Sequence, residues 1–460
     1  MALNKKHIQH TLKVLVLSHS SELSGGAERS MLDLFDEWTS KGLVEPHFIL
    51  RKPLVGLEKE ISKRGWHYTS IHYTNWAQRN PTKRKDSIFL NTKVNSRAIF
   101  DIEKIIDKIS PDVVMTNTII SPWAALAAYY KKIPHIWFVR ELGTDHGHVF
   151  EIGRKETFSD IGTLSKMVIT NSKMVEKDIS QFIDADKITT LYNPFKTDKI
   201  KELSAKSVKS PFIYKDSLKL VIIGRISDSK GQDKAADAVG RLINMGYDVE
   251  LCIIGSPSLK DDDASLKRII ARYNIHDRVH IIGHKNNPLP YISISDIGVM
   301  ASKAEAFGRV TFEYMILGKP VIGSRSGATP ELIKHNYSGR LFELGDSKSL
   351  AKNIEPYLKD KKLISRHGKN AKLKAENMMV GENSANKVFK KIKKILNIQN
   401  EASSDVINLT HRWLEYPLLA QDFMDEYNQL SLKKVLYRKA RARVKYIYVG
   451  LNGRLGKWKK

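Results

Sequence analysis

Residues Met300–Ile333, MASKAEAFGRVTFEYMILGKPVIGSRSGATPELI, decide the fold. The stretch opens on the end of an apolar run, SDIGVMAS, which predicts a strand. A short loop, KAEAFGR, follows, and then VTFEYMIL with the apolar spacing of a helix. Gly318, Lys319 and Pro320 break that helix, and VIGS predicts the next strand. Glu305 and Glu313 stand eight positions apart across the turn. Two carboxylates, Gly308 in the turn and a helix N-terminus therefore meet at one strand end. That arrangement suits a phosphorylated, hydroxyl-rich ligand.

The same rhythm runs upstream. From Leu218 the chain alternates LKLVIIGRI, KAADAVGRLINM, VELCIIG, SLKRIIARYN and RVHIIG, then YISI and DIGVMAS. A first set begins with KVLVLS, the loop HSSELSGGAE and the helical pattern RSMLDLFDEW. It continues through PHFIL, EKEISKRG, WHYTSIHY, a basic loop at Lys83, Arg84 and Lys85, AIFDIEKIIDKI, DVVMTN, WAALAAYYKK, HIWFVRE and MVITNS. Such alternation predicts two α/β halves, each with an open parallel sheet. Residues 191–217 are polar, lysine-rich and hold two prolines, which predicts a linker. The expected division is 1–200, 201–395 and a tail at 396–460.

The bulk numbers exclude several classes. The 460 residues suffice for two or three domains, and 42% hydrophobic content excludes a disordered chain. A single cysteine, Cys252, sits in an apolar run. It excludes an internal disulfide framework and a multi-cysteine zinc site, fits a reducing compartment, and reads as core filler. No secretory signal is visible, since MALNKKHIQHTLK is polar and VLVLS is too short. The stretch 113–130 contains Thr, Asn, Ser and Pro and predicts a buried strand plus helix rather than a membrane span. The net charge of +26 favours polyanionic or phosphorylated partners. The last thirty residues hold eleven Lys and Arg and no Asp or Glu. Leu432, Leu436, Ala440, Val444, Ile447 and Leu451 fall near one helical face there, with Tyr437, Tyr446, Tyr448 and Trp458 interleaved. A basic amphipathic helix of that kind predicts contact with an anionic membrane surface.

The second half opens on GRISDSKG, with Gly224, Arg225 and Lys230 directly after a strand. Two cations at a strand's C-terminal edge can hold a diphosphate. GRISDSKG, EAFGRVTFEYM and GKPVIGSRSGATPELI together resemble the donor site of the family 4 glycosyltransferases. The resemblance spans about residues 10–395, strongest over 218–333. It implies the two-domain GT-B fold: two Rossmann-like domains facing a cleft. It also implies sugar transfer from a nucleotide-sugar donor with retention of configuration.

By the same resemblance, Arg225 and Lys230 bind the diphosphate and stabilise the leaving group. Glu305 contacts the donor sugar, and Glu313 accepts from the ribose hydroxyls. Backbone amides of Phe307, Gly308, Arg309 and Val310 meet sugar and phosphate, while Gly25 and Gly26 close over the phosphates. His284 and Lys285 lie in a loop that either frames the nucleobase or is a plain surface turn. The family often has a His after the strand HIWFVRE, where this chain has Arg140 and Glu141. These two either line the cleft or form a local ion pair. His135, His146 and His148 flank them, and none is singled out as catalytic. Asn193 is a cleft residue or a turn residue. Asp261, Asp262 and Asp263 read as a solvated loop before a helix, so no essential metal and no cofactor are expected.

The expected protein is a cytoplasmic enzyme, peripheral on the inner membrane face. Its expected acceptor is a glycan or lipid-linked saccharide in surface polysaccharide or glycolipid synthesis. No nucleic-acid partner is expected, because no nucleic-acid-binding motif accompanies the charge. The alternative is a nucleic-acid-binding or glycan-binding protein without transferase activity.

Overall fold

The computed structural model of the chain describes residues 11–23, 25–78, 91–142, 149–150, 153–257, 261–382 and 384–396. The basic tail at 431–460, the loop of Lys83, Arg84 and Lys85, and His146 and His148 lie outside the described residues.

In chain order the strands are β1 (Leu12–Ser18), β2 (Val44–Arg51), β3 (His67–Ile71), β4 (Ala77–Gln78), β5 (Val113–Asn117), β6 (His135–Val139), β7 (Val149–Phe150), β8 (Met167–Thr170), β9 (Ile188–Thr190), β10 (Leu218–Ile223), β11 (Val249–Ile254), β12 (Val279–Ile281), β13 (Ile297–Met300), β14 (Val321–Ser324) and β15 (Gly339–Phe342). Among the described residues thirteen of them form a seven-stranded sheet, β3-β2-β1-β5-β6-β8-β9, and a six-stranded sheet, β12-β11-β10-β13-β14-β15, while β4 and β7 make a separate antiparallel pair. Every pairing in both sheets is parallel. Each is a Rossmann-like domain, as the alternation predicts.

Alternation along single strands builds the layers. On β1, Leu15 and Leu17 join one core cluster, while Val14 and Val16 join another on the opposite face. On β10, Leu218, Leu220 and Ile222 face one way and Val221 the other. A parallel sheet covered on both faces requires this near-continuous apolar run. Cys252 on β11 is fully buried, and burial pushes its thiol up to about 12. It is core filler.

Strand order also creates the functional edge. In the second sheet the order reverses between β10 and β13, and in the first between β1 and β5. Loops leaving the C-terminal ends of such neighbours diverge to opposite faces and leave a crevice for ligand. Val113–Tyr130 divides into β5 and the helix Trp123–Tyr130. Among the described residues no helix is long and apolar enough to cross a membrane.

Packing crosses the expected boundaries at two places. The helix Thr197–Ser204 runs through position 200, and its Ile200, with Phe195, belongs to a second-domain cluster. The expected linker at 191–217 is thus partly helical, because its few apolar residues find a core to enter. At the other end, the helix Ala385–Leu396 buries Ala385, Val388, Phe389 and Ile392 against the first domain. There Trp38 Nε1 donates to the Ala385 carbonyl at 3.2 Å.

Candidate active site

The second-domain site is built at the β10/β13 switch. After β10, Gly224 leads into Arg225, which is exposed, and then to Lys230. Gln232 fastens this loop: its Nε2 donates to the Arg225 carbonyl at 3.0 Å. Gly231 begins the next helix with φ of +70°, and a Cβ there would lie 2.5 Å from the Ala301 carbonyl oxygen. Only glycine lets the Lys230 loop sit so close to the end of β13.

The loop after β13 carries Glu305. Gly327, at φ of +53°, packs its Cα against the Glu305 backbone, and Ala328 N donates to the Glu305 carbonyl at 2.8 Å. The SRSGATPELI segment therefore fixes the height of the Glu305 loop. Lys230 Nζ lies 2.5 Å from Glu305 Oε1, with the two side chains 35% and 16% exposed. The ammonium is partly solvated and anchored by a carboxylate, poised beside any anion that enters from above.

Gly308 caps the helix Arg309–Ile316. On this helix Glu313 is largely buried, and burial pushes its carboxyl above the usual range, opposed by Arg309 and Arg29. Arg309 Nε lies 3.3 Å from Glu313 Oε1. Arg309 also reaches the first domain, with Nη1 2.7 Å from Asp33 Oδ2. The Phe307 side chain is buried and stacks on Phe195, so this residue offers a ligand its backbone alone. Val310 is partly buried beside it.

The first domain supplies the facing wall. Gly25 caps the helix Gly26–Ser40, and the buried Glu28 carboxylate lies where a Gly25 side chain would be. His19 Nε2 is 3.1 Å from Glu28 Oε1. Arg140 and Glu141 are not the local ion pair that their sequence adjacency allows. Glu141 accepts from the backbone N–H groups of Arg140 (3.0 Å) and Ile119 (3.3 Å). The Arg140 guanidinium instead donates from Nε to Asn117 Oδ1 at 2.6 Å and from Nη1 to Asn193 Oδ1 at 2.8 Å. Asn193 is thus buried and paired rather than a turn residue. Burial lowers Arg140 to about 9 and raises Glu141 to about 7.

Three other candidates are held by contacts of their own. His135 is buried between Thr116 and Ser165, and burial lowers it to about 3. It is a neutral core imidazole. His284 N donates to Ser256 Oγ at 3.1 Å, which ties the loops after β11 and β12 together. Asp263 pairs with Lys267 at 2.9 Å along its own helix.

Sequence reasoning missed Gln232, Gly231 and Gly327 as loop clamps, and Asn117 and Asn171 as cluster members. One signal was available. The first-domain runs VVMTN, IWFVR, MVITN and TTLYN each end on a polar residue, and parallel strands bring such ends to one edge.

The profile described as glycosyl transferases group 1 matches residues 204–374, and that described as glycosyltransferase family 4 matches residues 24–199. The chain belongs to the family 4 glycosyltransferases. Lipopolysaccharide core biosynthesis glycosyltransferase LpsE of Rhizobium meliloti is 23% identical over 74% of this chain and 88% of its own. N-acetyl-alpha-D-glucosaminyl L-malate synthase of Bacillus anthracis is 27% identical over 40% of this chain and 48% of its own. The chain thus spans about half the length of several curated relatives it matches. Among solved structures, a glycosyltransferase from Rickettsia africae has a TM-score of 0.68 at 20% identity, covering 85% of this chain and 100% of that one. Anabaena HepE in complex with UDP has a TM-score of 0.64 at 19% identity, covering 84% and 99%. These likenesses show the GT-B fold that the family 4 resemblance implies.

Proposed function

We propose that this family 4 member moves a hexose or related sugar from a nucleotide-sugar to a glycan or lipid-linked acceptor, with retention. One observation carries the proposal: Lys230 and Glu305, from loops after adjacent strands at the switch point, meet at 2.5 Å. Arg225 and Lys230 take the diphosphate and Glu305 the sugar. Glu313 takes the ribose, the amides at Phe307–Val310 the sugar and phosphate, and Gly25 and Gly26 close over the phosphates.

In the step, the bond from the anomeric carbon to the diphosphate oxygen breaks, and its electron pair stays on the diphosphate. The acceptor oxygen bonds the same face of that carbon, and its proton passes to the departing phosphate. Cations fixed beside the diphosphate lower this barrier because they need no reorganisation as charge develops. The proposed chemistry uses these cations in place of an essential metal and requires no cofactor. Variants test it directly. Glu305→Ala should abolish transfer, whereas Glu313→Ala should mainly weaken donor binding; full transfer by Glu305→Ala contradicts the assignment.

The acceptor is proposed to belong to surface polysaccharide or glycolipid synthesis at the cytoplasmic membrane face. The basic 431–460 segment supports this, as does a Campylobacter jejuni relative whose name specifies a diphospho-undecaprenol acceptor, 28% identical over 46% of this chain and 55% of its own. Removing residues 431–460 should release the protein from phosphatidylglycerol vesicles, and unchanged binding would refute the membrane part.

A further inference from the structure

Arg140 is a buried cation that the proposed chemistry leaves without a task. It is 6% exposed at the C-terminal end of β6. Its guanidinium lies flat on Phe138, with Cζ 3.6 Å from the ring centroid. Its two bonded nitrogens, Nε and Nη1, donate to neutral amide oxygens of Asn117 and Asn193. Asn171 Nδ2 holds the Arg140 carbonyl at 3.2 Å.

The remaining nitrogen, Nη2, is buried with no hydrogen-bond partner among the described residues, and so is Asn117 Nδ2. Both are donors. Among the described residues no carboxylate hydrogen-bonds the guanidinium: Glu28 faces His19, and Glu141 is occupied by two backbone N–H groups. A buried guanidinium with only neutral partners is costly, and its cost falls sharply when an oxyanion binds. Glu141, Glu28 and Asp33 act on Arg140 as favourable charges, and Arg309 of the second domain acts as an opposing one. The cation therefore lies where the two domains face each other.

We infer that Arg140, with Asn117, forms a second oxyanion site that takes one carboxylate or phosphate group of a substrate. This group is additional to the diphosphate assigned to Arg225 and Lys230, and the inference rests on the proposed transferase reading. The group comes either from the donor sugar, as a carboxylate, or from the acceptor.

The test titrates inorganic phosphate into full-length protein saturated with UDP, which fills the diphosphate site. Wild type should show one saturable phosphate site. Arg140→Met should weaken it by about tenfold or more, as expected for losing a charge-assisted bond. Arg140→Met also leaves two asparagine oxygens unmatched and risks the fold, so Asn117→Asp is the second variant. It supplies Arg140 with an internal carboxylate, and should abolish phosphate binding without lowering the melting temperature. UDP-glucuronate against UDP-glucose separates the sources. A preference for UDP-glucuronate that disappears in Arg140→Met assigns the anion to the donor sugar, whereas phosphate binding without that preference assigns it to the acceptor. Wild type that binds neither phosphate nor UDP-glucuronate preferentially overturns the site. If UDP does not bind, the titration is repeated with GDP and ADP; failure of all three overturns the donor-site reading instead, and phosphate titrated alone then still reports on Arg140.

Discussion

Arg309 stands between two carboxylates, Glu313 on its own helix at 3.3 Å and Asp33 of the first domain at 2.7 Å. It is the nearest cation to a largely buried Glu313, whose carboxyl burial already raises. Replacing Arg309 by Leu should raise it further. A carboxyl with a raised pKa is neutral at low pH and ionises only as pH rises. Nucleotide binding by Arg309→Leu should therefore be weaker than wild type at a lower pH and recover towards wild type at a higher one. Titrations at the two pH values check this. Tighter binding by the variant would mean that Arg309 competes with the nucleotide for Glu313.

Glu141 makes a stability prediction. Its carboxyl is raised from the model-peptide value of 4.5 to about 7 in the folded protein. The native state then holds a proton between those values that the unfolded state has released. Stability should fall as pH rises from about 4.5 to about 7 and be level above. Glu141→Gln should flatten that portion of the urea-denaturation profile.

Phe389 tests how the C-terminal described helix is held. It is 3% exposed and packs 5.5 Å from the Trp38 ring centroid. Phe389→Ala should destabilise the protein by about 3 kcal/mol. Trp38→Phe, which loses the bond to the Ala385 carbonyl, should cost about 1 kcal/mol from that bond. Both are read from denaturation midpoints.

Legibility divided along physical lines. Met300–Ile333 was readable because strand, loop and helix are contiguous, so Glu305, Gly308 and Glu313 are placed by local periodicity alone. The paired sheets were readable because parallel strands buried on both faces are nearly continuous apolar runs. What escaped needed distant residues to meet. Lys230 and Glu305 were each singled out for different tasks, yet their pairing depends on β10 and β13 being neighbours. The Arg140 cluster joins residues 117, 140, 171 and 193, which share one edge only after four strands are ordered. The adjacency of Arg140 and Glu141 was misleading for the same reason. The partners of Arg140 come from the ends of other strands, and sequence proximity does not reveal them.

The central claim is that the second-domain crevice binds a nucleotide-sugar between Arg225, Lys230 and Glu313. The most direct measurement is thermal protection and titration with UDP-, GDP- and ADP-sugars, on wild type, Lys230→Ala and Glu313→Ala. One nucleotide class should bind the wild type and raise its melting temperature. Each substitution should weaken that binding by about tenfold or more. Absence of binding by every nucleotide-sugar, or wild-type affinity in both variants, would contradict the account.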